Sequence, residues 1–591
     1  MFEGRDLFVV SAEGTAPTDE LIVRLADAIG LRATRVSIDE ITSLGHSIRF
    51  DSGTHLIVGA AALASISRRD RNFPGVFGKY SESAASLLIY GFGSGHDSLL
   101  AELTGGRVRL HDREASGLIK FSLSNALPSA CCTLRGLSTE VVYPKYPRGL
   151  AGGDGVVSLI TAGGAAVLTK VEQANRNLFL LAGSLPPDLD QEISQGNAWR
   201  AQVELLPWML FFRTVFGTRC WHSSIHRAAV VIDDPLLTPR YGYLHFAELR
   251  DAMERHGFAS SIAFIPWNHE RCRSRMVAMI RRRPDHFSLC VHGNDHTAGE
   301  FAAGNLTDFR AKAAVALTRM DELSSATGLA YDRVMVFPQS AFSRDALPAI
   351  SRQGFLAAIG SNLFAADHET GDLTLRDLLE AAITAYGGAP LFGRRSPNEL
   401  FQLAFDLFLG KPAFIVQHHQ DFRNGVEPLA QACDALRQQV PDLKWQSVGK
   451  IIRETCLQKR DGQNRYSVRF YSDTFRFTAA ASGNYQFEQK RRNPQPTRFV
   501  LCDGTAIDAA TSDDRIVTEL RLDEGQTVNL EVPTEEARLA PEPRPRGYRA
   551  RVFVRRMLSE FRDNYLARNE HLLAAANQIV KRHRYTPQEH P

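Results

Sequence analysis

Long apolar runs, paired cysteines and an excess of one charge are all missing from this 591-residue sequence. No segment reaches the about 18 consecutive apolar residues that a membrane-crossing helix needs, so none is expected. The start of the chain has no basic stretch leading into a longer apolar run. Leu7-Phe8-Val9-Val10 reads directly as a strand, so no signal peptide and a cytoplasmic location are expected. Eight cysteines without a C-x-x-C pair fall far below the density of a secreted disulfide scaffold, which predicts reduced, mostly buried thiols. Lys and Arg number 69 against 66 Asp and Glu, a net charge of +3, which argues against nucleic acid or an acidic polymer as the main partner. Two catalytic signatures are also absent. Gly153-Asp154-Gly155 and Gly163-Gly164 do not form a phosphate loop, and Cys131-Cys132 lacks the flanking glycines of a nucleophile elbow.

What is present is ample apolar material, 44% of the residues, in a chain long enough for three or four domains. An α/β multidomain protein is expected. Residues 1–195 alternate strands (Leu7 to Val10, Ala33 to Ile38, His55 to Val58, Leu87 to Tyr90) with helical stretches such as Pro17 to Ile29. Strands at Val156 to Ile160, Ala166 to Val171 and Asn177 to Ala182 continue the pattern. The layout resembles flavodoxin-like or glutamine-amidotransferase-like folds and reads as an accessory domain. Residues 461–537 switch to short alternating runs separated by turn residues, the pattern of a β-sandwich. A Pro- and Arg-rich linker is expected at 537–547 within a last unit, 538–591. There Val554, Leu558, Phe561 and Tyr565 mark the seam of an amphipathic basic helix running toward Lys581. Such a seam predicts packing on its own protein, with a protein partner or a membrane surface as the sharper alternative.

The chemistry concentrates in residues 196–460. A helix from Trp199 to Phe216 leads to an apolar strand, Ala228 to Ile232, that ends in Asp233-Asp234-Pro235. Helix Phe246 to His256, closed by Gly257, precedes strand Ser261 to Ile265. Strand Phe287 to Val291 ends in His292-Gly293-Asn294-Asp295-His296. After a helix from Phe309 to Ser325 come strands Arg333 to Phe337 and Ala357 to Ile359. Ser396-Pro397-Asn398-Glu399 predicts a capping box opening a helix to Leu409, and strand Ala413 to Val416 then ends in Gln417-His418-His419. Polar clusters at the C-terminal ends of several strands predict one converging site on a (β/α) barrel. They combine a carboxylate, two imidazoles and further acid–base groups, which is what a hydrolytic metal site needs.

Val230-Val231-Ile232-Asp233-Asp234 resembles the first motif of the polysaccharide deacetylase (NodB-like) family, and His292-Gly293-Asn294-Asp295-His296 resembles its second, over residues 225–455. The resemblance implies a central distorted (β/α) barrel and a divalent metal, zinc first, bound by Asp234, His292 and His296. It also implies Asp233 as general base, with a late-strand histidine, His418 or His419, as general acid. The implied reaction is hydrolysis of an N-acetyl group on an amino-sugar oligosaccharide or polysaccharide. The alternatives are another C–N bond on the same fold and a non-catalytic carbohydrate-binding scaffold. Trp267, Tyr241 and Trp221 are candidates for stacking on sugar faces, and Gln339 for substrate contact. The chain departs from the family at two places. Pro235 follows the Asp pair where Gly is usual, and Val336-Phe337-Pro338-Gln339 lacks the Arg that orients the base. Gln339, Arg333 and Arg344 are the candidate replacements.

Overall fold

Seven parallel strands close on themselves in the middle of the chain. They are β1 (Arg227–Asp233), β2 (Ser260–Phe264), β3 (Phe287–His292), β4 (Val334–Val336), β5 (Ala357–Gly360), β6 (Leu391–Arg395) and β7 (Ala413–His418). Closure comes from β1, which pairs with β2 on one side (Val230 beside Ser260) and β7 on the other (Ala228 beside Ala413). The computed structural model describes residues 7–11, 17–37, 53–69, 84–111, 115–146, 149–173, 176–183, 185–367, 372–492, 494, 496–512, 514–533, 539–540 and 547–565.

Side-chain alternation sorts the barrel residues into two sets. Ala229 and Val231 of β1, Cys290 of β3, Val334 and Val336 of β4, Phe392 of β6 and Phe414 of β7 fill one core cluster, the barrel interior. Ala228, Val230 and Ile232 belong to the second cluster, packed under the surrounding helices. Both faces of these strands are therefore covered, as the unbroken apolar run of β1 requires. The period of two carries one step further. Asp233, His292, Arg394 and His418 share parity with interior residues of their own strands, so each comes to the inner side of the barrel mouth.

Six of the seven strands match sequence expectations within one or two residues. The seventh, β6, was not anticipated. The expected capping box at Ser396 forms only in part: the Glu399 carboxylate accepts the Ser396 N–H at 2.7 Å, but the helix begins at Leu400 rather than Pro397. The Trp199 to Phe216 helix runs Ala198–Phe216; it exposes Arg200 and Glu204 near its start and is largely apolar and buried beyond them. It is buried between domains, with Trp208 against Tyr90 (5.4 Å between ring centres), Phe211 against Phe179 (5.2 Å) and Trp199 against Phe401 (5.8 Å).

In the N-terminal unit, strands Ala33–Ser37, Leu7–Ser11, His55–Gly59, Ser86–Phe92 and Asn177–Ala182 lie parallel in that order. Beyond them the sheet becomes antiparallel, through Ala165–Glu172, Val156–Ala162, Ala115–Leu123 and Ser138–Tyr146. The later strands thus do not continue the α/β alternation: short turns such as Gly163-Gly164 join neighbours directly, which forces antiparallel pairing. At the other end, five- and four-stranded sheets between Cys456 and Glu531 enclose a core that includes Phe470, Phe475, Phe477 and Phe487. The Glu380 carboxylate joins this sandwich to the barrel by accepting from Arg469 and from the Tyr471 hydroxyl, both at 2.7 Å.

The C-terminal helix, Tyr548–Asn564, returns to the barrel mouth. Its expected seam is inverted. Val554, Leu558, Phe561 and Tyr565 are exposed, whereas Val552, Arg556 and Asp563 are buried. The barrel mouth is lined with polar strand ends, so the helix side that finds partners there is the polar one. The expected linker is described only at 539–540 and 547, and the expected continuation toward Lys581 lies outside the described residues. Among the described residues, no helix is long and apolar enough to cross a membrane.

Candidate active site

Asp233 and Asp234 end β1 and are driven apart by the backbone. Asp233 keeps strand geometry and points into the barrel. Asp234 takes φ +78°, a left-handed conformation that a short polar side chain tolerates, and its carboxylate turns along the rim. His296, Gln339 and Ser340 also have positive φ, near +55°. With Asp234, they make four of the six non-glycine residues in that region among those described, so backbone strain gathers at the barrel mouth.

The loop after β3 is held from beneath by Glu300. Its buried carboxylate accepts the backbone N–H groups of Asn294 (3.0 Å), Asp295 (2.9 Å) and His296 (3.1 Å). Gly293, at φ +59°, is required there, because a Cβ would collide with the Glu300 carboxylate and with Pro338. Asp295 faces away from the rim and accepts from Arg319 at 2.6 Å and from the Tyr548 hydroxyl of the C-terminal helix. This clamp leaves the two histidine rings free to converge.

The His292 and His296 Nε2 atoms lie 3.3 and 3.0 Å from the same oxygen, Asp234 Oδ1. All three atoms fall within 4.8 Å of one another. Yet Asp234 Oδ1 is buried and makes no hydrogen bond of acceptable geometry. His292 Nδ1 lies 2.9 Å from the Val336 carbonyl and must donate its proton there, which leaves Nε2 with a free lone pair. Two imidazole nitrogens and a carboxylate oxygen thus cluster closely enough to share one small cation. The two short separations match the edge of a tetrahedron about 3.3 Å long, the figure implied by zinc–ligand bonds near 2.0 to 2.1 Å. The residues present fit a divalent cation. Burial pushes the Asp234 carboxyl up, and the two imidazoles outweigh it and hold the group well below its ordinary value.

Arg394 was not foreseen from sequence. It enters from β6 and grips Asp233 with two parallel hydrogen bonds of 2.7 Å each, both side chains being 2% exposed. Burial alone would raise the Asp233 pKa, but Arg394, His292 and His418 together hold it below its ordinary value. None of the three expected base-orienting residues takes this position. Gln339 accepts from the Gly299 N–H (3.2 Å), Arg333 lies 3.9 Å from Asp321, and Arg344 pairs with Asp372 (3.2 Å). The detectable signal was Phe392-Gly393-Arg394-Arg395. Interior parity points Arg394 inward, and Arg395 pairs outward with Asp406 at 2.8 Å.

The two adjacent histidines diverge. His418 Nε2 stands 3.6 Å from Asp233 Oδ2, and the half-exposed ring opens to solvent. His419, of opposite parity, is buried with Nε2 3.7 Å from Asp563, its ring edge-on to Tyr241 at 5.2 Å. Tyr241 donates to Asp563 at 3.0 Å and is itself 1% exposed, so neither residue offers a free face for a sugar. Trp267 carries the Arg319 guanidinium 4.9 Å above its ring, and Trp221 stands under Arg469 at the junction with the sandwich (4.3 Å).

No protein-family model matches the chain, and no curated protein does. Solved structures overlap it weakly. The structure of Agd3, described as a novel carbohydrate deacetylase, is 10% identical, covers 90% of this chain and 99% of its own, and has a TM-score of 0.42. A family 4 carbohydrate esterase from Streptomyces lividans, in complex with acetate, is 10% identical over 38% of this chain and 94% of its own, with a TM-score of 0.25. A family 4 carbohydrate esterase from Bacillus anthracis is 13% identical over 39% of this chain and 84% of its own, with a TM-score of 0.23. Likeness of this degree assigns no function by itself.

Proposed function

We propose that the protein is a metal-dependent hydrolase that removes N-acetyl groups from an amino-sugar carbohydrate. The observation that carries this reading is the arginine-gripped carboxylate of Asp233 beside the converging trio Asp234, His292 and His296, with His418 across from it. The motif resemblance points to the same chemistry. Zinc is the first candidate for the cation. A divalent cation bound by the trio supplies a Lewis acid that polarises a carbonyl and lowers the pKa of water toward about 7.

The chain's own groups supply the proton transfers. Asp233, kept ionised by Arg394, takes the proton of the attacking water. Arg394 also fixes the carboxylate plane, so the base meets the water in one orientation. His418, on the open side of the mouth, gives its proton to the departing amine, which is a poor leaving group without it. His419 is locked against Tyr241 and Asp563 and takes no part in this reading.

Two measurements test the proposal. Purified protein should retain stoichiometric zinc or another divalent cation, melt at higher temperature when loaded, and release acetate from N-acetylhexosamine oligomers. Metal-free preparations whose melting is indifferent to zinc, cobalt, nickel and iron, and which release no acetate when supplied with them, would remove the basis of the proposal. The second measurement concerns pH. The Asp421 carboxylate, beside the His418 ring at 3.8 Å, makes the largest contribution to raising its pKa; burial opposes this and Asp233 reinforces it. An acid with a raised pKa stays protonated to higher pH, and activity falls as pH rises through that value. Asp421→Asn should therefore move the alkaline limb of kcat/KM to lower pH without changing metal content. An unmoved limb would assign the acid elsewhere.

A further inference from the structure

The outward face of the C-terminal helix is apolar and cationic, and nothing in the chemistry above uses it. Phe553 (53% exposed), Val554 (55%), Leu558 (65%), Phe561 (52%) and Tyr565 (67%) stand along about 18 Å of helix surface. They account for five of the ten exposed large hydrophobic residues among those described. Arg549, Arg551 and Arg562 are exposed beside them, and an open groove of about 640 Å³ has Ala550, Val554 and Leu558 as its apolar lining and Arg551, Arg555 and Arg562 as its charged lining.

The acids of the helix are turned the other way. Glu560 receives both guanidinium nitrogens of Arg271 (2.5 and 2.7 Å), and Asp563 is buried under the Tyr241 hydroxyl. Asn564 Oδ1 accepts from the Gly242 N–H at 2.8 Å, and Tyr548 donates to Asp295. Inward contacts therefore consume both carboxylates and fix the helix at its two ends. Arg562 is exposed but paired with Asp563 at 2.8 Å, so what remains outside is an apolar stripe beside Arg549 and Arg551, which form no ion pair among the described residues.

We infer that this face docks on a lipid bilayer rich in anionic headgroups, with the helix lying in the interface plane and the barrel mouth held directly behind it. Charge complementarity selects this occupant. Arg549 and Arg551, exposed and without an ion pair among the described residues, are matched by anionic headgroups, and Phe553, Phe561 and Tyr565 suit the boundary between headgroups and acyl chains. A second copy docked face to face would set Arg549 and Arg551 against a like-charged surface. The helix need not leave the barrel, because the contacting face is already outward. The inference is independent of the hydrolase reading, since it concerns the opposite side of the helix.

Sedimentation of the full chain with large unilamellar vesicles tests it. Vesicles of phosphatidylcholine with an equal share of phosphatidylglycerol should bind the protein at least about tenfold more strongly than phosphatidylcholine alone, and 0.5 M salt should weaken that preference. Leu558→Ser with Phe561→Ser should abolish binding to both. Arg549→Ser with Arg551→Ser should lower only the anionic component, by about fivefold per arginine. Melting temperature and gel-filtration volume should stay unchanged in both variants, as the substituted side chains are exposed. Equal, negligible binding to both vesicle types, or binding indifferent to Leu558→Ser with Phe561→Ser, overturns the inference. So does a concentration-dependent dimer that the same double variant dissociates, which would make the face a contact between copies.

Discussion

Replacing Asp233 by Asn is expected to lower kcat for acetate release by about 10²- to 10⁴-fold, the usual contribution of a positioned general base, while bound metal stays near its wild-type level. The second half of that expectation is what gives it force. The ligand trio comprises Asp234, His292 and His296, and Asp233 Oδ1 and Oδ2 are instead occupied by the two Arg394 nitrogens at 2.7 Å. Loss of activity with retained metal is the signature of a base; parallel loss of both would make Asp233 a ligand. Some stability must also be lost, because the Asn amide turns one donor toward a guanidinium that has only donors. Kinetics should therefore be measured below the variant's melting transition and at saturating zinc, with metal content determined on the same sample. A variant with wild-type kcat would place the base elsewhere.

The residues that could be read from sequence and those that could not differ in a physical way. Asp233, Asp234 and His292 stand at the ends of apolar strands, so each announces itself as a polar group ending a buried run, and His296 follows His292 at a spacing of four. Arg394 does not. Its strand, Leu391–Arg395, ends in two charged residues and contains a glycine, so hydrophobic patterning passes over it. Only parity from Phe392 shows that one arginine of the pair is interior, and that inference needs the strand to be known first. The His418–His419 ambiguity has the same root: adjacent residues at a strand end face opposite ways, and the interior residues Phe414 and Val231 decide between them. The C-terminal helix shows the converse failure. Its 4-3-4 spacing was legible, but spacing identifies an apolar stripe without saying which side meets the protein. That was decided by the polar partners Arg271, Tyr241 and Asp295, which lie far away in sequence.

Arg394→Met is expected to destabilise the folded protein by about 3 to 5 kcal/mol at neutral pH, the cost of stranding a buried carboxylate without its partner. Methionine fills much of the volume, so the loss reports charge rather than a cavity. The pH dependence follows from the sign of the shift. In the wild type the Asp233 pKa is depressed, so its contribution to stability is fully present above the unfolded value of about 3.9 and disappears as pH falls through the folded value. Without Arg394, burial dominates and the Asp233 pKa rises, so the carboxyl can take up a proton and relieve its own desolvation. The gap between variant and wild type should thus be widest near neutrality and narrow on acidification. Chemical denaturation at a series of pH values measures it. The double variant Asp233→Leu with Arg394→Met removes both charges and should recover much of the lost stability while remaining inactive. If the double variant were as unstable as Arg394→Met alone, the arginine would be supporting the barrel through Ser361 and Ser340, which it also contacts at 3.1 and 3.4 Å, rather than through the carboxylate. Recovered stability without recovered turnover would separate the two roles of the pair: the arginine keeps a carboxylate ionised where burial would neutralise it, and that ionised carboxylate is what the proposed chemistry needs.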